Sequence, residues 1–125
     1  MNETESTRAG TRSRTRHAIL SAAASVLGRD YHANLADIAA AAGVGRTTLH
    51  RYFPDRTGLI NAAIKDSIEA IEQSVADAAV EQGPPVEAMR RLVAAMAAVG
   101  DQLVFLFGDR RVLEGHGAAG IPLPT

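Results

Sequence analysis

The chain has 125 residues, no cysteine, no tryptophan and a formal net charge of −1 at pH 7. This length corresponds to one domain or two small ones, and the lack of cysteine excludes disulfides, a thiol nucleophile and cysteine-ligated metal centres. Hydrophobic residues make up 46% and charged residues 22%, as in an ordinary globular protein. No stretch approaches the roughly 20 apolar residues of a membrane span, so we expect a cytoplasmic protein without a membrane partner.

The charge is distributed unevenly along the chain. Residues 1–56 contain eight arginines and five acidic residues, whereas residues 57–125 contain five basic and nine acidic residues. A basic segment indicates an anionic partner, and nucleic acid is the first candidate. A solvated face with scattered arginines would give the same count, so charge alone leaves both interpretations open.

Hydrophobic periodicity predicts an all-α fold. Apolar residues recur at three- and four-residue spacing in segments bounded by glycine, proline or a capping side chain, and β-alternation of useful length is absent. Residues 1–12 lack this pattern and are expected to form a disordered arm, and the residues after Gly108 are expected to form a loop. The predicted helices cover about residues 13–27, 35–42, 46–52, 55–82 and 85–107.

A short turn, Gly43-Val44-Gly45, separates the second and third predicted helices. Glycine at position 43 can adopt the left-handed conformation that closes a helix, and Val44 is expected to point into the core. Two short helices joined in this way and packed on a longer first helix form a helix-turn-helix unit, whose second short helix enters the DNA major groove. On that helix Leu49 and Phe53 are expected to face inward.

The residues from Thr15 to Ala23, followed by the segment from Leu35 to Ile60 that contains IAAAAGVGRTTLHRYFPDRTGL, resemble the tetracycline-repressor (TetR) family. The resemblance covers about residues 13–64. It implies a bacterial transcriptional regulator, usually a repressor, that binds a palindromic operator in double-stranded DNA as a homodimer. In this family an inducer, here an unknown small molecule, binds the C-terminal domain and releases the DNA.

The resemblance also implies a division of the chain. A homeodomain-like helix-turn-helix domain is expected at 13–56, and a helical ligand-binding and dimerisation domain at 57–125. The family's C-terminal domain has more helices than the two predicted here. We therefore expect 57–125 to be a partial or reduced domain, and favour a fragment of a longer protein.

By the same resemblance, the DNA-contacting positions lie mostly on the third helix. Arg46 stands near its N-terminal end, where an arginine can donate two hydrogen bonds to guanine. Arg56 stands where the family commonly has lysine and is expected to hold a phosphate, as is Asn34 at the start of the second helix. The predicted DNA-binding residues are Arg46, Thr47, Thr48, His50, Arg51, Tyr52, Arg56 and Asn34.

Two departures from the family pattern keep an alternative open. His50 and Tyr52 look exchanged relative to the usual order, and Ala33 stands where a small polar residue is common. The alternative is a small-molecule-binding or protein-interaction helical protein that has lost specific DNA binding. Two interpretations of the N-terminal arm also stay open, a disordered tail and a DNA-following arm that uses Arg8, Arg12, Arg14 and Arg16.

Other candidate sites carry weaker signals. Met89, Met96, Phe105 and Phe107 could line an inducer pocket, although methionine and phenylalanine at helical spacing are more often core residues. The four histidines are scattered without metal-ligand spacing, and no serine–histidine–acid grouping or carboxylate pair stands out. We therefore expect a protein that is not an enzyme, without catalytic residues, a metal or a cofactor.

Overall fold

The computed structural model describes residues 3–108, with side chains from Thr7 onward. Within this range every regular element is an α-helix, so the predicted all-α class is confirmed. No helix of this range is long and apolar enough to cross a membrane. The loop predicted after Gly108 lies outside the described residues. The helices are α1 (Glu3–Arg29), α2 (Leu35–Ala42), α3 (Arg46–Tyr52), α4 (Arg56–Ala78), α5 (Pro85–Ala98) and α6 (Gly100–Phe107).

One hydrophobic core joins the helices. The long helix α1 packs against α2, α4 and α6, and α4 also packs against α5 and α6. Full burial of a large apolar side chain contributes about 1.5–3 kcal/mol, so this core holds the helix-turn-helix unit and α6 together. The largest fully buried apolar side chains come from five helices and are Ile19, Leu20, Leu27, Ile38, Leu49, Leu59, Ile60 and Phe105.

The first helix is longer than predicted at both ends. The structure has residues 3–12 as part of α1, in place of the expected disordered arm. Propagating a helix that is already nucleated costs little, and arginine is a good helix former. Gly28 lies inside α1 and does not end it. A Cβ at this position would come within 3.3 Å of the backbone nitrogen of Phe105. Glycine at this position therefore lets α6 approach α1 closely.

The boundaries of α2 and α3 agree with the prediction because short-range interactions determine them. Asn34 Oδ1 accepts a 2.8 Å hydrogen bond from the backbone N–H of Asp37, whose carboxylate accepts one of 3.3 Å from the N–H of Asn34. This reciprocal pair is a capping box. Gly43 closes α2 at φ 74°, and the N–H of Val44 donates to Ala39. Val44 packs against the core, as predicted.

The long helix α4 ends at Ala78, short of the predicted end near residue 82. Ala79 adopts φ 48°, in the left-handed region. The guanidinium of Arg91 on α5 donates from Nε to the carbonyl of Ala78 (2.7 Å) and from Nη2 to those of Ala79 (3.1 Å) and Gln82 (2.5 Å). Carbonyls at a helix C-terminus lack intrahelical partners and favour a cation. This contact therefore fixes α5 against the end of α4.

The single helix predicted over 85–107 is wrong, because the chain bends at Val99 and forms α5 and α6. Val99 has φ −112° and ψ 26° and is followed by Gly100, a residue that weakens a helix interior. The bend directs Phe105 and Leu106 into the core, where Phe105 is completely buried. Several apolar residues of this segment are exposed, namely Met89, Val93, Val104 and Phe107.

Candidate nucleic-acid interface

Two buried side chains hold α3 in place. Leu49 is 2% exposed and Phe53 is 7% exposed, and both belong to the core. The N–H of Phe53 donates to the carbonyl of Leu49 over 2.8 Å and closes the last turn of α3. These are the two inward-facing residues predicted from the sequence. Because they anchor one side of a seven-residue helix, the opposite side is presented to solvent.

The solvent-facing side of α3 consists of Arg46, Thr47, His50 and Arg51, all of which are exposed. With 3.6 residues per turn, these four side chains lie within an arc of about 140°. Thr48 is half-buried at the margin of this face. The exposed face is polar and carries two arginines, which suits hydrogen bonding to base edges and phosphates.

Tyr52 and Asn34 are less available for DNA contact than the sequence prediction implied. Tyr52 is half-buried and packs against the core. Asn34 is exposed, but its Oδ1 accepts the capping hydrogen bond from Asp37. A phosphate contact by Asn34 would therefore use Nδ2 as donor. Its position beside α3 is favourable, since Leu35 of the same helix start lines a hollow with Arg46 and His50.

Arg56 has internal partners in this structure. Nη1 donates to the carbonyl of Ala33 over 2.6 Å, and Nη2 donates to the carbonyl of Tyr31. The guanidinium also lies 5.8 Å from the centre of the Tyr31 ring. Arg56 thus ties the start of α4 to the α1–α2 loop. The side chain of Ala33, one of the departures from the family pattern, is buried at 8% exposure.

Two arginines outside the predicted site residues lie beside α3. Arg12 and Arg16 of α1 line a hollow together with Arg51 and Tyr52. The guanidinium of Arg16 lies 5.5 Å from the centre of the Phe53 ring, a distance typical of a cation–π contact. The sequence left a disordered tail and a DNA-following arm open for these arginines, and their four-residue spacing could have indicated one face of a helix.

The four residues predicted to line an inducer pocket do not share one environment. Phe105 is completely buried in the core, close to Gly28 of α1. Met89 and Phe107 are exposed, and Met96 is half-buried. Among the side chains of residues 7–108, no three metal-ligating groups are close enough to hold an ion.

Comparison with known proteins shows which family and which relatives this chain resembles. The family model described as "Bacterial regulatory proteins, tetR family" matches residues 19–63. The chain is 41% identical over 104 residues to the HTH-type transcriptional repressor LfrR of Mycolicibacterium smegmatis, a match that covers 83% of this chain and 55% of that repressor. The matched part of the chain therefore spans about half the length of this relative.

Solved structures agree with the sequence comparison. A crystal structure of the TetR-like regulator LfrR from Mycobacterium smegmatis superposes with a TM-score of 0.73 at 32% identity, over 93% of this chain and 75% of that chain. A second crystal structure, of LfrR in complex with proflavine, gives a TM-score of 0.68 at 38% identity, over 82% of this chain and 64% of that chain. Both likenesses extend beyond the helix-turn-helix into the later helices.

Proposed function

This chain belongs to the tetracycline-repressor family of bacterial regulatory proteins, and from that premise we propose that it is a transcriptional repressor. It binds an operator in double-stranded DNA through α3 and releases the operator when a small molecule binds. The observation that carries the proposal is the exposed polar face of α3, held rigidly by Leu49 and Phe53. Recognition needs such rigidity, because base-edge contacts depend on a fixed register.

The residues of this face divide into two roles. Arg46 and Thr47 begin α3, and the N-terminal residues of a recognition helix contact base edges. Arg46 is the candidate for a bidentate contact with guanine. His50 and Arg51 lie one turn further along and are suited to the phosphates at the groove margin, which position the protein without reading sequence.

The operator is proposed to be palindromic and bound by a homodimer. Two copies of α3 related by a two-fold axis would read half-sites about 34–36 Å apart, one turn of DNA. α4 runs from Arg56 to Ala78 and packs against α1, α5 and α6. A shift of α4 would therefore move α3 of one copy relative to the other, which is the two-state element that a ligand must bias.

Ligand release is proposed from the proflavine complex of LfrR and from apolar side chains on the last helices. Met89 on α5 and Phe107 on α6 are 60% and 66% exposed. Such exposed side chains are candidates for ligand contact, together with half-buried Met96. Proflavine serves as the probe, and its binding is measured by its own fluorescence with Met89→Ala and Phe107→Ala beside the unmodified chain.

The test of DNA recognition is fluorescence anisotropy with a labelled duplex from upstream of this protein's own gene and a scrambled duplex of equal length. Arg46→Ala is compared with Arg90→Ala, which removes an arginine that is also exposed, on α5. We expect preference for the upstream duplex, a loss of about 1–3 kcal/mol in discrimination for Arg46→Ala, and no change for Arg90→Ala.

Three outcomes would decide against parts of this proposal. Equal losses in both arginine variants would show a general charge effect. Equal affinity for the two duplexes would contradict a specific operator in that region. Absence of binding at low salt by the folded chain would favour the alternative, a helical protein for small molecules or protein partners that has lost specific DNA binding.

A further inference from the structure

The N-terminal half of α1 projects beyond the hydrophobic core. The buried residues of this helix begin at Ile19, whereas residues 7–9, 11–14, 16 and 17 are exposed. Ala9 is the one apolar residue among those exposed positions, so this segment has no apolar face to bury. As a helix, this segment presents its polar side chains at fixed spacing.

Three of those side chains form an arginine ridge, which we define as Arg8, Arg12 and Arg16. A spacing of four residues advances each arginine by about 40° around the helix, so the three lie within an arc of about 80°. At 1.5 Å per residue the ridge is about 12 Å long. All three residues are exposed.

The ridge has no acidic partners among the described side chains. The sequence contains no aspartate or glutamate between Glu5 and Asp30. The carboxylate found within ion-pair distance of α1, that of Asp66, faces His17 Nδ1 at 3.8 Å. Like charges four residues apart disfavour a helix, so folding alone does not account for this spacing. An external anion would remove the repulsion.

The ridge is continuous with the face that α3 presents. Arg12 and Arg16 share a hollow with Arg51 and Tyr52 at the end of α3. Arg16 lies over the Phe53 ring, which is part of the same anchor that holds α3. A ligand on the exposed face of α3 would therefore extend onto the ridge.

We propose that the arginine ridge binds the phosphate backbone of duplex DNA beside the half-site that α3 reads, as a rigid helical arm. Each DNA strand carries one phosphate per 3.4 Å of helix axis, so a ridge of about 12 Å spans several phosphates. An anionic membrane fits less well, because a membrane-surface helix needs a large apolar face opposite its charges. This proposal rests on the proposed DNA-binding function.

The test is the salt dependence of DNA affinity for the 125-residue chain, measured by anisotropy on a duplex from upstream of its gene with flanking DNA on both sides. The ridge variant is Arg8→Gln with Arg12→Gln; Arg16 is left intact because it contacts Phe53. The control variant is Arg29→Gln with Arg90→Gln, two exposed arginines away from the ridge. Circular dichroism checks that helix content is retained in each.

Each lost phosphate contact lowers the slope of log K against log salt by about 0.9. We expect the ridge variant to lower the slope by about 1.8 per subunit, or about 3.6 for the proposed homodimer, so that the unmodified chain loses about 150-fold more affinity than the variant between 50 and 200 mM salt. The control variant should leave the slope unchanged. Removing the DNA that flanks the two half-sites should weaken the unmodified chain and leave the ridge variant unaffected.

Several results would overturn the inference. If the unmodified chain prefers the upstream duplex while the ridge variant keeps its slope, the ridge is not a DNA contact and the proposed function stands. Equal slope changes in both variants would show that net charge alone acts. Absence of DNA binding by the unmodified chain would overturn both proposals. Ridge-dependent binding to vesicles of phosphatidylcholine and phosphatidylserine, with an unchanged DNA slope, would assign the ridge to membranes.

Discussion

Replacing Arg56 by lysine separates two roles for this side chain. One is a contact with a DNA phosphate, and the other is an internal tie, by which we mean its hydrogen bonds to the α1–α2 loop. Lysine keeps the positive charge and is the residue commonly found at this position in the family. It has no planar fork, however, and cannot reproduce two parallel donors. In the structure the two terminal nitrogens of Arg56 donate to two different carbonyls, those of Tyr31 and Ala33. The substitution should therefore affect folding more than charge-dependent binding.

The magnitude follows from the contacts. A hydrogen bond from a charged donor contributes about 1.5–3 kcal/mol, and a partly exposed cation–π contact about 0.5–1 kcal/mol. Arg56 is partly buried, so water can replace part of the lost hydrogen bonding. We expect Arg56→Lys to destabilise by about 1.5 kcal/mol, which lowers the Tm by roughly 6 °C. Arg56→Ala, which loses every contact, should cost about 2–3 kcal/mol.

The assay is thermal unfolding followed by circular dichroism at 222 nm, beside anisotropy on the upstream duplex. Arg90→Lys is the matched control, since Arg90 is exposed on α5, and its Tm should stay within about 1 °C of the unmodified chain. The internal tie would be refuted if both Arg56 variants kept the Tm of the unmodified chain and only Arg56→Ala lost DNA affinity. That pattern would support the phosphate contact of Arg56 that was predicted from the sequence.

Two further substitutions test the packing of α6 and the end of α4 by the same unfolding assay. Gly28→Val should destabilise the protein by about 1–3 kcal/mol by overpacking, because the first added carbon lies 3.3 Å from the Phe105 backbone nitrogen. Gly10→Val is the control, since its added carbon meets only the flexible side chain of Arg14. Equal losses of stability in both variants would contradict a close α1–α6 contact. Ala79→Gly should stabilise the folded protein by about 0.5–1 kcal/mol, because alanine is strained in the left-handed conformation that it adopts here at φ 48°. The control Ala76→Gly, inside α4, should destabilise the protein by about 1 kcal/mol. A lower Tm for Ala79→Gly would refute this strain.

The elements predicted correctly depend on residues close together in the sequence. The capping pair Asn34 and Asp37, the turn glycine Gly43 and the inward pair Leu49 and Phe53 act within a few residues of one another. The conformational rules for caps and glycine are local, and a helical repeat of 3.6 residues is enough to predict which side chains face inward. The limits of α2 and α3 and the exposed face of α3 followed from these rules.

The errors lie where a distant part of the chain decides the outcome. The apolar pattern from Pro85 to Phe107 fits one helix, but burial of Phe105 against α1 requires the bend at Val99. Because periodicity does not identify what a side chain contacts, the sequence left Phe105 as either a pocket or a core residue, and in the structure it is buried in the core. The arm was misjudged for another reason, since polar residues 3–12 extend a helix already nucleated by the core-facing part of α1.

The sequence by itself therefore determined the helix-turn-helix and the polar face that we propose reads DNA. Only the tertiary structure decided what several of the arginines contact. A guanidinium binds phosphate oxygens and backbone carbonyls with the same planar donors, so its chemistry cannot select between them. The carbonyls that Arg56 holds lie 23 and 25 residues away in sequence. These carbonyls come close to Arg56 only because α1, α2 and α4 pack around a common core, and no local sequence pattern predicts that packing.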